Sequence, residues 1–146
     1  MRYAGVGIRF AAVFLDGVVL APLGVVVALV GGGGYATRTE AGASAGVELA
    51  GGPLLVWLLL AFVYYVVTER ALGGSVGKLV VGLRVVDDDG CAISWGQSIV
   101  RNLLRPIDFL FVYLVAAVAV WASPRRQRLG DRAAATFVVT SPDTRL

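Results

Sequence analysis

The sequence predicts an all-α integral membrane protein with two full transmembrane helices, a third broken or re-entrant apolar helical segment, and a small cytoplasmic β-hairpin or sheet. Three observations carry that prediction. Hydrophobic residues make up 58% of the chain and charged ones 16%, against about 25% charged in ordinary soluble domains. Two long apolar runs, residues 8–30 and 49–68, each reach the ~20 residues that a helix needs to cross a bilayer. Two short valine-rich runs, Leu83–Asp87 and Thr136–Thr140, have strand composition. The 146 residues form one domain, 1–146.

Composition also excludes whole classes. A net charge of +3, dispersed along the chain, is too small for a nucleic-acid partner and fits a membrane surface, so the lipid bilayer is the expected partner. Histidine is absent and Cys91 is the single cysteine. That removes disulfide frameworks, His/Cys zinc sites and histidine-based triads. No metal, cofactor or catalytic residue is expected. A lipid-active hydrolase would need a nucleophile beside a base, and only scattered Ser and Asp are present, so an enzyme is not expected either.

The first helix, about residues 8–30, carries Arg9 at its start and Asp16 a third of the way in. Seven residues make nearly two turns, which puts both charges on one face, roughly 10 Å apart along the axis. From Phe10 to Val30 there are thirteen Phe, Val or Leu residues. Each favours insertion by about 0.3–0.6 kcal/mol, against about 2.5–3.5 for one aspartate. Insertion therefore tolerates Asp16 without a partner. An ionisable group at that depth nonetheless marks a paired or functional position, and both roles stay open.

The same helix has Gly17, Ala21 and Gly24, a stripe of small residues that admits a close neighbour. Pro22 cannot donate to the carbonyl of Val18 and should kink the helix. A packing kink is the plain reading; the sharper one has that carbonyl and Asp16 coordinating a cation. A cleaved signal peptide is the rival for this segment. Arg2 resembles its basic region and Ala43-Ser44-Ala45 a cleavage site, but the apolar run is too long and contains Asp16.

Gly31–Gly34 ends the helix, and residues 31–48 read as a variable, poorly ordered loop. The second helix, about residues 49–68, ends in Tyr64 and Tyr65, expected in an interfacial aromatic belt, and is closed by Glu69-Arg70. Gly77-Lys78 is not a phosphate loop. That motif needs glycine six residues before the lysine and Ser or Thr after it, and Leu72 and Leu79 stand there. A hairpin follows over 83–93, turning at Asp88-Asp89-Gly90; those acidic residues read as a solvated turn, because an EF-hand's spacing and terminal glutamate are missing.

Ser94 can cap a helix over 94–105 that contains Arg101 and Arg105. A broken apolar segment, 106–122, starts at Pro106 and Asp108. Its uncharged part, Phe109–Ala122, is of a length more often re-entrant or interfacial than spanning. A basic tail with the strand 136–140 completes the chain. If residues 99–122 dip in and return, twelve of the thirteen Lys and Arg fall on one side. This predicts a multi-pass protein of the cell membrane with both termini cytoplasmic, and lets strand 136–140 pair with strand 83–87.

Arg9 and Asp16 in the first helix, GGSVGKLVVGLRVVDDDG after the second, VRNLLRPIDFLFVYL, and RRQRLGDRAAATFVV near the end together resemble the RDD family of membrane proteins over nearly the whole chain. The resemblance implies that the arginine and two aspartates of the family name are Arg9, Asp16 and Asp131. It also implies a few membrane helices and transport, with sodium/proton antiport and a partner protein among the family's associations. Ala135 departs from the pattern, since the family commonly has glycine before the threonine.

Under this reading Arg9, Asp131 and Arg128 form a charge cluster at the cytoplasmic face. Asp16 lies deeper and is answered by Arg101 or Arg105. Arg105 and Asp108 are three apart, but Pro106 weakens a helical pairing. Two functions follow. The first is a cation- or proton-coupled transporter, or a subunit of one, with Asp16 as carrier; two crossings enclose no path, so it needs a homo-oligomer or a partner membrane protein. The second is a non-transporting assembly or scaffold module that binds anionic lipid or a protein.

Overall fold

The computed structural model describes residues 2–39, 42–106, 127 and 129–140. Among the described residues two helices are long and apolar enough to cross a membrane: α1, Val6–Val30, and α2, Gly51–Leu72. Only 22% of the apolar window of α1 and 17% of that of α2 is buried. A core helix of a water-soluble protein would be mostly covered; these helices leave Phe14 66% and Leu55 68% exposed, which suits lipid as the surrounding medium.

The second helix runs further than its hydropathy predicts. Apolar composition stops at Thr68, but α2 continues through Glu69 and Arg70 to Leu72. Glu69 is wholly buried, so the charge that reads as a helix terminator in sequence is an internal residue whose partners come from elsewhere in the chain.

The chain divides into two compact units, residues 17–61 and residues 1–16 with 62–146. Within residues 17–61, the expected loop 31–48 is instead a two-stranded antiparallel hairpin. Strand β2, Gly34–Thr39, pairs with β3, Gly42–Val47, from Gly34↔Val47 to Thr39↔Gly42. Its residues are mostly Gly, Ala, Ser and Thr with no alternating apolar face, so backbone pairing rather than burial defines it. The small-residue stripe on α1 meets Trp57. A Cβ on Gly24 would lie 2.9 Å from the Trp57 indole nitrogen, which donates to the Leu20 carbonyl at 3.4 Å.

The other unit is built on a three-stranded antiparallel sheet, in which Thr136–Thr140 lies between Arg2–Tyr3 and Leu83–Asp87. We label Arg2–Tyr3 β1, Leu83–Asp87 β4 and Thr136–Thr140 β5. The predicted pairing of the two valine-rich strands is present, with Leu83 opposite Thr140 and Asp87 opposite Thr136. Strand β1 was not legible as a strand, because two residues carry no pattern. The turn after β4 is tied by Asp87, whose Oδ1 accepts from the backbone N–H of Asp89 at 3.1 Å and Cys91 at 2.7 Å. Ala4, Ala12, Leu83, Val85, Ile93 and Val138 form the hydrophobic core.

Among its described residues this unit also has three short helices: α3, Val76–Val80, α4, Trp95–Leu103, and α5, Leu129–Ala133. Helix α4 starts where predicted. Ser94 and Gln97 form a reciprocal capping box, each accepting from the other's backbone N–H. Pro106 is described, but the rest of the predicted broken segment, with Asp108, lies outside the described residues, as does Arg128.

Candidate functional site

Among the described residues two buried polar centres lie in the sheet-bearing unit. The first is Asp16, which is fully buried. Its Oδ2 accepts from the Ser75 hydroxyl at 2.6 Å. Its Oδ1 accepts from the Tyr64 hydroxyl at 3.0 Å and the Gly77 backbone N–H at 2.8 Å. The Tyr64 oxygen in turn accepts from the Val76 N–H at 3.1 Å. Gly77 can approach because it lacks a side chain: a Cβ there would come 2.1 Å from the Ala12 carbonyl oxygen and 2.9 Å from the Asp16 nitrogen. Glycine thus has a steric role here, which the rejected phosphate-loop reading could not supply.

These contacts correct two expectations. Asp16 is not answered by Arg101 or Arg105; neutral donors from α2 and from the start of α3 hold it. Tyr64, expected in an aromatic belt, turns its hydroxyl to the carboxylate instead.

The second centre is an ion network around Glu69 and Asp131. Glu69 Oε1 pairs with the Lys78 ammonium, with Arg105 Nη1 further off at 3.9 Å. Its Oε2 accepts from Arg101 Nε at 3.0 Å and Asn102 Nδ2 at 2.9 Å. Arg101 then bridges: its Nη2 reaches Asp131 Oδ1 at 2.9 Å. Arg9 Nη1 meets Asp131 Oδ2 at 2.9 Å, while its Nε donates to the Ala4 carbonyl. All these side chains are buried, which makes their mutual pairing obligatory.

Arg9 and Asp131 are therefore joined as the expected cluster has it, with Arg101 as the third described member. Arg105 lies with its guanidinium 3.4 Å from the centre of the Tyr65 ring and donates to Asn102 Oδ1 at 3.1 Å. Burial pulls the Lys78 amine down from 10.5 to about 7, helped by the nearby Arg101 and Arg105 and opposed by Glu69.

The local sequence explains this placement. Ser98, Arg101 and Asn102 recur at helical spacing on the buried face of α4. Ser98 Oγ donates to the Val66 carbonyl at 3.0 Å, which seats α4 on the last turns of α2 beside Glu69. A Cβ on Gly130 would lie 2.7 Å from the Arg101 carbonyl oxygen, so glycine lets α5 bring Asp131 against α4.

Sequence reasoning missed Glu69, Lys78, Asn102, Tyr64, Ser75 and Gly77. The available signal was Glu69 itself, an acid directly after an apolar span with Lys78 nine residues on. Among the described residues no group of three or more Asp, Glu or Cys converges as metal ligands.

Comparison with known proteins places the chain. The RDD family model matches residues 3–135. The "Proline-rich antigen homolog" of Mycobacterium tuberculosis strains CDC 1551 and H37Rv is 33% identical over 95 residues. That match takes in 60% of this chain and 39% of the relative. The "Uncharacterized protein YxaI" of Bacillus subtilis strain 168 is 29% identical over 122 residues, 76% of this chain and 81% of the relative. No solved structure matches.

Proposed function

The chain belongs to the RDD family, and from that premise we propose an integral membrane protein that couples proton or cation movement through Asp16. One observation carries the reading. A fully buried carboxylate on an apolar, membrane-length helix is held by three neutral donors and by no cationic side chain among the described residues. Such a group can exchange a proton without breaking an ion pair. The Ser75 and Tyr64 hydroxyls can rotate to accept from the protonated form. Backbone and hydroxyl donors thus serve both states, whereas an arginine partner would lock the carboxylate in one.

Two crossings do not enclose a path, so the protein works as a homo-oligomer or beside a partner membrane protein, without enzymatic chemistry or a cofactor. Its place is the cell membrane, multi-pass with both termini cytoplasmic, on the grouping of Lys and Arg.

The second reading is a non-transporting assembly or scaffold module. It is favoured by the same three bonds, which tie α1 to α2 and α3 and would serve a purely structural clamp. Reconstituted wild type and Asp16→Asn separate the two. Asparagine keeps one oxygen acceptor for Ser75 or Gly77, so the transporter reading expects a folded variant that has lost cation-dependent proton movement. Wild type that moves neither protons nor cations, with or without co-expressed partners, removes the transporter. A variant as active as wild type removes Asp16 as the carrier.

A further inference from the structure

Helix α4 is built inside out. Its protein-facing side carries Ser98, Arg101 and Asn102, all buried. Its open side carries Trp95, Ile99, Val100 and Leu103, exposed by 52%, 44%, 40% and 65%. Water-soluble proteins place these classes the other way round. A helix of 9 residues is also far too short to span a bilayer. It is capped by the polar Ser94, which follows the Asp87–Gly90 turn after Cys91, Ala92 and Ile93.

The level of α4 on α2 follows from its bonds. Ser98 reaches Val66, and Arg101 and Asn102 reach Glu69. Helix α2 has 22 residues, about 33 Å at 1.5 Å each, against a hydrocarbon core of about 30 Å. Glu69 is three residues from its end, so α4 crosses α2 where the span leaves hydrocarbon. At the same level the Arg70 guanidinium lies 5.9 Å from the Trp95 ring, the aromatic-and-basic pairing favoured at headgroup depth.

We infer that α4 lies along the headgroup–acyl boundary of the bilayer, its Trp95–Leu103 face in lipid and its opposite face on the ion network. The occupant of the open face is phospholipid. Val63 and Val67, exposed by 46% and 42%, share by their spacing one face of α2 with Arg70, whose guanidinium lies over Trp95 of that open face. Charge agrees, because the chain carries thirteen Lys and Arg against ten Asp and Glu. The excess is positive and favours an anionic leaflet. The role is that of an interfacial amphipathic helix that fixes the depth of the network.

This inference rests on the integral-membrane reading, and the test separates the two. Single spin-labelled cysteines are placed in a Cys91→Ser background of the full chain, in phosphatidylglycerol nanodiscs. The positions are Ile99→Cys and Leu103→Cys on α4, Leu59→Cys on α2, and Asp89→Cys in the turn. Oxygen partitions into lipid and a water-soluble nickel chelate does not, so their ratio reads depth.

Ile99 and Leu103 should read several-fold above Asp89 and below Leu59. A water-like ratio at Ile99 and Leu103 with Leu59 in lipid overturns the placement of α4 alone. Protection of Ile99 and Leu103 from both reagents means that protein covers the face, and overturns it too. A water-like ratio at Leu59 sinks the membrane reading and this inference with it.

Discussion

Replacing Glu69 with glutamine strikes the centre of the ion network. Glu69 is fully buried and faces Lys78, Arg101, Arg105 and Asn102. An amide has one acceptor oxygen and a donor group where the second acceptor stood. If its oxygen stays with Arg101 and Asn102, its N–H groups point at the Lys78 ammonium; if it flips, they point at Arg101. Either way a buried cation loses its counter-charge.

Breaking a buried pair from one side costs about 3–5 kcal/mol, and a unit pair 4 Å apart at an effective dielectric of 20 is worth about 4 kcal/mol. Both estimates agree in scale. The upper end is softened because Lys78 can shed its proton once Glu69 no longer holds it. The expected loss is therefore about 3 kcal/mol or more. It is read by denaturant titration in detergent micelles. The double variant Glu69→Gln with Lys78→Met should recover at least about 1 kcal/mol of that loss, since the stranded cation is gone. A Glu69→Gln loss below about 1 kcal/mol, or no recovery in the double variant, would refute the network as the main constraint on this unit.

Other perturbations address separate contacts. Lys78 binds its proton less tightly folded, at about 7, than its ordinary 10.5. The unfolded chain therefore holds more protons between those values, and stability rises with pH across 7–9.5, by at most about 1.4 kcal/mol per pH unit; Lys78→Met should flatten that slope, and identical slopes would refute it. Gly77→Ala should cost about 1–3 kcal/mol or prevent folding, because its Cβ meets the Ala12 carbonyl at 2.1 Å; a melting curve like wild type would contradict the close approach. Ala135 holds a left-handed backbone at φ 49°. Relief of about 1–2 kcal/mol of strain, less the entropy of a freer unfolded chain, should make Ala135→Gly stabilising by up to about 1 kcal/mol, and a destabilised variant would argue against that conformation.

That last position shows how sequence and structure meet. The family resemblance singles out Ala135 as a departure from glycine, and the backbone gives the reason: α5 ends at Ala133 and the chain turns into β5 through Ala135 in a left-handed conformation. The pairing of β4 with β5 was equally legible, since valine-rich runs with strand composition need a partner and few were on offer. The β2–β3 hairpin was not, because Gly, Ala, Ser and Thr give backbone pairing no hydropathic signature.

Sequence alone determined the two membrane-length helices, the cap of α4 and the family, and it singled out Arg9, Asp16 and Asp131, all three of which are buried. These follow from local composition, spacing and motif. Only the tertiary structure decided which charge meets which. Arg9 and Asp131 are 122 residues apart in sequence, and both Arg101 and Lys78 turn to Glu69, leaving Asp16 to neutral donors. A buried ion has many possible partners of opposite sign, and hydropathy treats them as equivalent. Which one lies within hydrogen-bonding reach depends on how helices and sheet stack, and that distance sets the energy.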